Sequence, residues 1–126
     1  MKDYKAYYII KARPELVYKA LTNLATIQLW SGHPAEMSTE SGAEFSLFDG
    51  DIVGRNLELE ENRKIVQQWY FEGEDNPSVV TIKLHPHKQG TSAELRHENI
   101  PDEVYEEFSA GWDENFFGML QDFYEE

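Results

Sequence analysis

The hydrophobic period of this chain changes once, at Ile100-Pro101-Asp102, and that change dictates what the chain can fold into. After it, apolar residues recur at steps of three and four: Val104, Tyr105, Phe108, Trp112, Phe116, Met119, Leu120 and Phe123. Acids at Glu103, Glu106, Glu107, Asp113, Glu114 and Asp122 occupy much of the remaining surface. The pattern predicts one long amphipathic helix, begun and capped at Asp102, whose broad apolar face must lie on a sheet. Gly111 and Gly118 are seven apart, which puts them on one side of an α-helix. Each costs about 1 kcal/mol against Ala in a helix interior, so each answers either to close packing on the sheet or to space kept for a ligand.

Before the change, the chain reads as strands, with two short helices near the start. Tyr4 to Ala12 is rich in aromatic and β-branched residues and predicts a strand. Arg13-Pro14-Glu15 starts a helix, since Pro suits the first helical position and Glu the positive end of the dipole. Leu16, Val17, Ala20, Leu21 and Leu24 give it an apolar face. A second helix holds Ile27 and Trp30 and ends near Ser31-Gly32. Then Phe45 to Phe48 and Ile52 to Leu59 flank Asp49-Gly50, a strong hairpin signal. Strands are also expected over Arg63 to Phe71, Ser78 to His85 and Thr91 to Glu98, with a loop over Glu72 to Pro77 and a turn over Pro86 to Gly90.

A short turn at Pro86–Gly90 fixes which residues face the helix. Val80 then lies opposite His97, Ile82 opposite Leu95 and Leu84 opposite Ala93, and opposed residues share a face. Thr81, Lys83, Ser92, Glu94, Arg96 and Glu98 form the wet face. Pairing Trp69 near Val80 sets Ile65, Gln67 and Trp69 inward. In the 45–59 hairpin one extra residue would flip every side chain; Leu57 and Leu59 are expected inward, and a flip would instead bring Glu58 in.

The 126 residues make one domain, 1–126, with 40% apolar and 13% aromatic content to fill a core. Cysteine is absent, which excludes disulfides, a thiol nucleophile and thiolate metal sites. No apolar run approaches the roughly 20 residues of a membrane span, and the opening residues lack a secretory pattern, so a cytoplasmic protein is expected. Net charge is −13, from 11 Lys and Arg against 24 Asp and Glu. Residues 1–33 hold five bases and two acids, whereas the stretch from Asp102 onward holds nine acids and no base. Such a surface repels phosphate backbones and anionic lipids, which argues against nucleic acid and membrane partners.

Taken in order, IKARPELVYKALTN at 10–23, Trp30, FSLFDGDIVGRNLEL at 45–59, KIVQQW at 64–69, SVVTIKL at 78–84, GTSAELRHENIP at 90–101 and GW at 111–112 resemble a START-like (SRPBCC, Bet v-type) helix-grip domain. The branch is that related to the activator of the 90-kDa heat-shock protein ATPase, and 45–112 is similar to the C-terminal domain of the eukaryotic co-chaperone. The resemblance implies an α+β helix-grip fold. Its parts are a curved antiparallel sheet of six to seven strands, two short helices after the first strand, and a long C-terminal helix across the concave face. In many members an apolar cavity lies between helix and sheet. One activity is not implied, since fold does not fix function.

Chemistry in the sequence is sparse. His33, His85, His87 and His97 do not converge: His85 and His97 stand on the order of 16 Å apart along the sheet, so no metal site is expected. His97, on the inner face near the start of the last helix, is the one weak candidate for acid–base work, titrating near neutrality if partly buried. The alternative is a His hydrogen-bonded to backbone. No GxSxG, P-loop or GxGxxG occurs, and no cofactor is expected. The expected pocket takes Trp30, Leu57, Gln67, Trp69, Val80 and Ile82 from the helices and sheet. Leu95, His97, Phe108, Gly111, Trp112 and Phe116 complete it from the last strand and the long helix. The reading favoured is non-catalytic binding of a small hydrophobic molecule there. A protein-interaction, co-chaperone-like module is the first alternative and a cyclase-like pocket enzyme the second. An exposed apolar patch on the outer sheet face would favour interaction, and a cavity of a few hundred Å³ would favour the ligand.

Overall fold

The computed structural model describes residues 1–71 and 77–125. Six strands form one antiparallel sheet in the order β1-β6-β5-β4-β3-β2. They are β1 (Lys2–Ile10), β2 (Glu44–Leu47), β3 (Ile52–Glu60), β4 (Lys64–Trp69), β5 (Ser78–His87) and β6 (Gly90–Ile100). Two helices, α1 (Pro14–Thr22) and α2 (Leu24–Ser31), follow β1. Asn23 ends α1 and caps α2, accepting from the Thr26 amide at 3.0 Å. Gly32 closes α2 in the left-handed region, as expected near Ser31-Gly32. Leu16 and Leu24, expected on the buried face of α1, are instead exposed. The loop expected over Glu72–Pro77 lies, apart from Pro77, outside the described residues.

The β5–β6 register is the one the sequence predicts: Val80 faces His97, Ile82 faces Leu95 and Leu84 faces Ala93. Pro86, expected in the turn, sits in β5 opposite Thr91. Trp69 pairs with Ser78 rather than Val80, and Gln67 takes Val80. A shift of two residues preserves the face, so Ile65, Gln67 and Trp69 still point inward and are buried.

Leu57 does not. The β3–β4 register slips between Asn56 and Glu58. The extra residue of that bulge is Leu57, which is 40% exposed, while Asn56 is fully buried and Leu59 packs against the core. Glu58 also lies outward and pairs with Lys64 at 2.9 Å.

The C-terminal helix starts as a 3₁₀ turn (Asp102–Val104) and continues as α (Tyr105–Gly111), π (Trp112–Phe116) and α again (Phe117–Phe123). Asp102 does not cap it; its carboxylate meets the Met1 amine at 2.9 Å. The π segment adds one residue to the turn and advances the buried face by one. Past Trp112 the expected face takes Phe116, Met119, Leu120 and Phe123. The structure buries Phe116, Phe117 and Leu120 and part-buries Tyr124, while Phe123 is exposed. Phe117 stacks on Tyr8 with ring centroids 4.4 Å apart.

The same insertion takes the two glycines out of line. A Cβ at Gly118 would lie 2.4 Å from the Asp113 carbonyl oxygen, so only Gly fits behind the π turn. At Gly111 a Cβ would meet nothing within 4 Å. The Asp113 side chain holds this turn against β1, accepting from the Tyr4 and Tyr8 hydroxyls.

Candidate functional site

Between the C-terminal helix and the sheet, the centre is solid. Val80, Ile82, Leu95 and Trp30 are buried core residues. Two hydrogen-bonded chains run through it. In the first, the Trp112 indole N–H donates to His97 Nδ1 at 3.0 Å. That leaves the ring proton on Nε2, which donates to Ser78 Oγ at 2.7 Å; the Ser78 hydroxyl passes on to the Glu98 carbonyl at 3.1 Å. In the second, the Trp69 indole N–H donates to Gln67 Oε1 at 3.0 Å and Gln67 Nε2 to Asn56 Oδ1 at 3.0 Å. Asn56 Nδ2 donates to the Ser38 carbonyl at 2.8 Å. Among the described residues no buried side-chain nitrogen or oxygen is left without a partner.

His97 is therefore not the partly buried, near-neutral group expected. It is fully buried, and burial pulls its pKa from 6.5 down to about 4, with Asp3 opposing weakly. Both ring nitrogens are committed, to side chains and not to backbone. His85 lies on the outer face against Glu94 at 2.9 Å. Among the described residues no three His, Asp or Glu side chains converge as a metal site.

Open space lies to one side, where the C-terminal helix faces the β2–β3 turn. A groove of about 690 Å³ is lined by Trp69, Phe108, Gly111, Trp112 and Phe116, all expected in the pocket. His33, Phe48, Asp51, Ile52, Glu107, Asn115 and Met119 line it too and were not expected. Trp30, Gln67, Val80, Ile82, Leu95 and His97 stand behind it in the core, and Leu57 is on the opposite face of the sheet.

Glu107, Asn115 and Met119 had a sequence signal, since they lie at −4, +4 and +8 from Gly111 on the helix. Phe48 and Ile52 had none, because only the fold of the hairpin brings them to the helix. Trp69 and Trp112 stack with centroids 5.0 Å apart, and Trp112 meets Phe116 at 4.6 Å. Both indole N–H groups are turned to the interior, and the two rings, 3% and 2% exposed, back the groove.

On the outer face of the sheet, Val53, Leu57 and Tyr70 are each about two-fifths exposed. The Tyr70 amide donates to the Val53 carbonyl at 2.9 Å, so these two are neighbours. Lys5, Arg55, Lys64, Lys83 and Arg96 lie at outward strand positions, interspersed with the acids Glu44, Glu58, Glu60, Glu94 and Glu98. The C-terminal helix carries no base. No helix among the described residues is long and apolar enough to cross a membrane.

Comparison with known proteins places this arrangement. The chain is 28% identical to mouse activator of 90 kDa heat shock protein ATPase homolog 2 over 85% of its length, which is 33% of that protein. It thus spans about a third of the curated relatives it matches. An HSP90 activator from Plasmodium falciparum has the same fold, with TM-score 0.87 and 30% identity over 96% of this chain and 94% of that one. The Aha1 dimer from Colwellia psychrerythraea shares the fold at TM-score 0.81 and 19% identity, over 99% and 97% of the two chains. The family model "Activator of Hsp90 ATPase homolog 1-like protein" matches residues 11–125, and the chain belongs to that family.

Proposed function

We propose that this chain acts as an interaction module that binds a 90-kDa heat-shock-type chaperone and raises its ATPase rate. The observation that carries this reading is the match, nearly end to end on both sides, to a solved chain described as an HSP90 activator. That match reverses the order of expectation from sequence, where small-ligand binding stood first. The outer sheet face supports the reading. Val53, Leu57 and Tyr70 give it exposed apolar surface, with Arg55 among them. That face mixes five bases with as many acids, whereas the helix opposite carries acids alone, so of the two surfaces the sheet face is the less repulsive to an acidic partner. In this reading the chain works in the cytoplasm.

The test is calorimetric titration of the 90-kDa chaperone of the source cell with the wild-type chain and with Leu57→Glu/Tyr70→Ser. Saturable binding by the wild type, weakened at least tenfold in the variant, is the expected result. Absence of binding by the wild type overturns the reading. Equal binding by both overturns the choice of face.

A second reading rests on a separate observation: the aromatic groove, kept open where Gly111 lacks a side chain. Its volume is that of a small-molecule site. In this reading it binds a small, largely apolar molecule without transforming it. Gly111→Leu is expected to abolish such binding while the fold is kept.

A further inference from the structure

The second reading leaves the chemical class of the ligand open, and the lining of the groove narrows it. Two carboxylates stand in the lining, Asp51 from the β2–β3 turn and Glu107 from the helix, and both are exposed. No Lys or Arg lines it, and the helix that forms one wall carries none at all. The aromatic walls are the half-buried Phe48 and Phe108, backed by the buried Trp69, Trp112 and Phe116. Ring faces carry negative electrostatic potential and attract cations within about 6 Å. The groups on these walls best able to attract an anion, the two indole N–H, are spent on Gln67 and His97. The other polar lining groups are Asn115 and the His33 ring. The π segment, a deviation often found where helices serve function, shapes this same wall.

Resting on the groove reading, we infer that the groove selects a small organic cation, an ammonium or guanidinium carried on an aromatic or alkyl body. It discriminates against fatty acids, phosphates and other anions of equal size. The body fills the aromatic walls, and the charge sits at the mouth between Asp51, Glu107 and the ring faces.

Three probes of one shape separate charge from size: 1-naphthylmethylammonium, 1-naphthylmethanol and 1-naphthoate. They are titrated into the full chain by calorimetry in low salt at about pH 8, above the ordinary histidine range. The ammonium is expected to bind about tenfold more tightly than the alcohol, and the naphthoate more weakly than either. Asp51→Asn/Glu107→Gln, both at exposed positions, is expected to erase the ammonium's advantage and leave the alcohol's affinity unchanged. Equal binding of ammonium and alcohol overturns the inference, as does tightest binding by the naphthoate or a preference that survives the double variant. The groove reading is scored apart, by whether Gly111→Leu removes binding of the neutral alcohol. If the alcohol binds and the ammonium gains nothing, the groove stands and its charge selectivity falls. If no probe binds, both fall.

Discussion

Trp69 and Trp112 each belong to two regions built in opposite ways. On one side their indole N–H groups enter the interior, that of Trp69 into the chain through Gln67 to Asn56 and that of Trp112 into the chain through His97 to Ser78. On the other side their rings border a groove of about 690 Å³ that opens beside Gly111. The difference shows a division of labour. A buried polar chain costs much if half satisfied, yet once complete it fixes each ring in one orientation. The open side can then leave space without losing its shape.

The comparison can be broken most severely from the sealed side. His97→Leu leaves the buried Trp112 N–H without an acceptor, takes from the Ser78 oxygen the N–H it accepts, and puts a branched side chain where a flat ring packed. Urea unfolding should show a loss of about 2–4 kcal/mol. Because Trp112 then loses its anchor, groove binding should weaken as well, although no groove residue has changed.

Acid attacks the same point. The folded chain holds His97 neutral with a pKa of about 4, against an ordinary 6.5 in the unfolded chain. The unfolded state thus takes up a proton first, and stability falls as pH falls. The His97 contribution is complete above about pH 6.5 and is lost on the way to about pH 4, reaching about 3 kcal/mol. Unfolding curves between those limits should carry this slope in the wild type and lack it in His97→Leu.

The glycines sharpen the comparison further. Gly118→Ala drives a Cβ to 2.4 Å from the Asp113 carbonyl and should cost about 1–3 kcal/mol despite Ala's better helix propensity. Gly111→Ala meets nothing and should gain about 0.5–1 kcal/mol. Thermal melts of the pair should therefore move in opposite directions. Leu57→Glu, on the exposed bulge, should shift stability by no more than about 0.5 kcal/mol, and its effect should appear only in chaperone binding.

Much of this was legible in the sequence wherever a period ran unbroken. The strict alternation of β5 and β6 and their short turn fixed Val80 against His97 and Ile82 against Leu95. The two short helices and the inward Gln67 and Trp69 followed in the same way. What escaped notice were single inserted residues. The bulge at Leu57 and the π turn at Trp112–Phe116 each add one residue, and neither has a composition of its own. One turned Leu57 to solvent; the other exchanged Phe123 for Phe117 and Tyr124 in the buried face. One wall of the groove escaped for a different reason, since Phe48, Asp51 and Ile52 come from around the β2–β3 turn, whose approach to the helix is tertiary. His97 was placed on the right face, but its partners Ser78 and Trp112 are 19 and 15 residues away, beyond any local signal.

The most direct test of the central claim is the steady-state ATPase rate of the source cell's 90-kDa chaperone, measured as this chain is added. The account predicts a saturable rise that Leu57→Glu/Tyr70→Ser suppresses and Gly111→Leu leaves intact, because the sheet face and the groove are separate. A rate that stays flat through saturating concentrations of wild-type chain would contradict it.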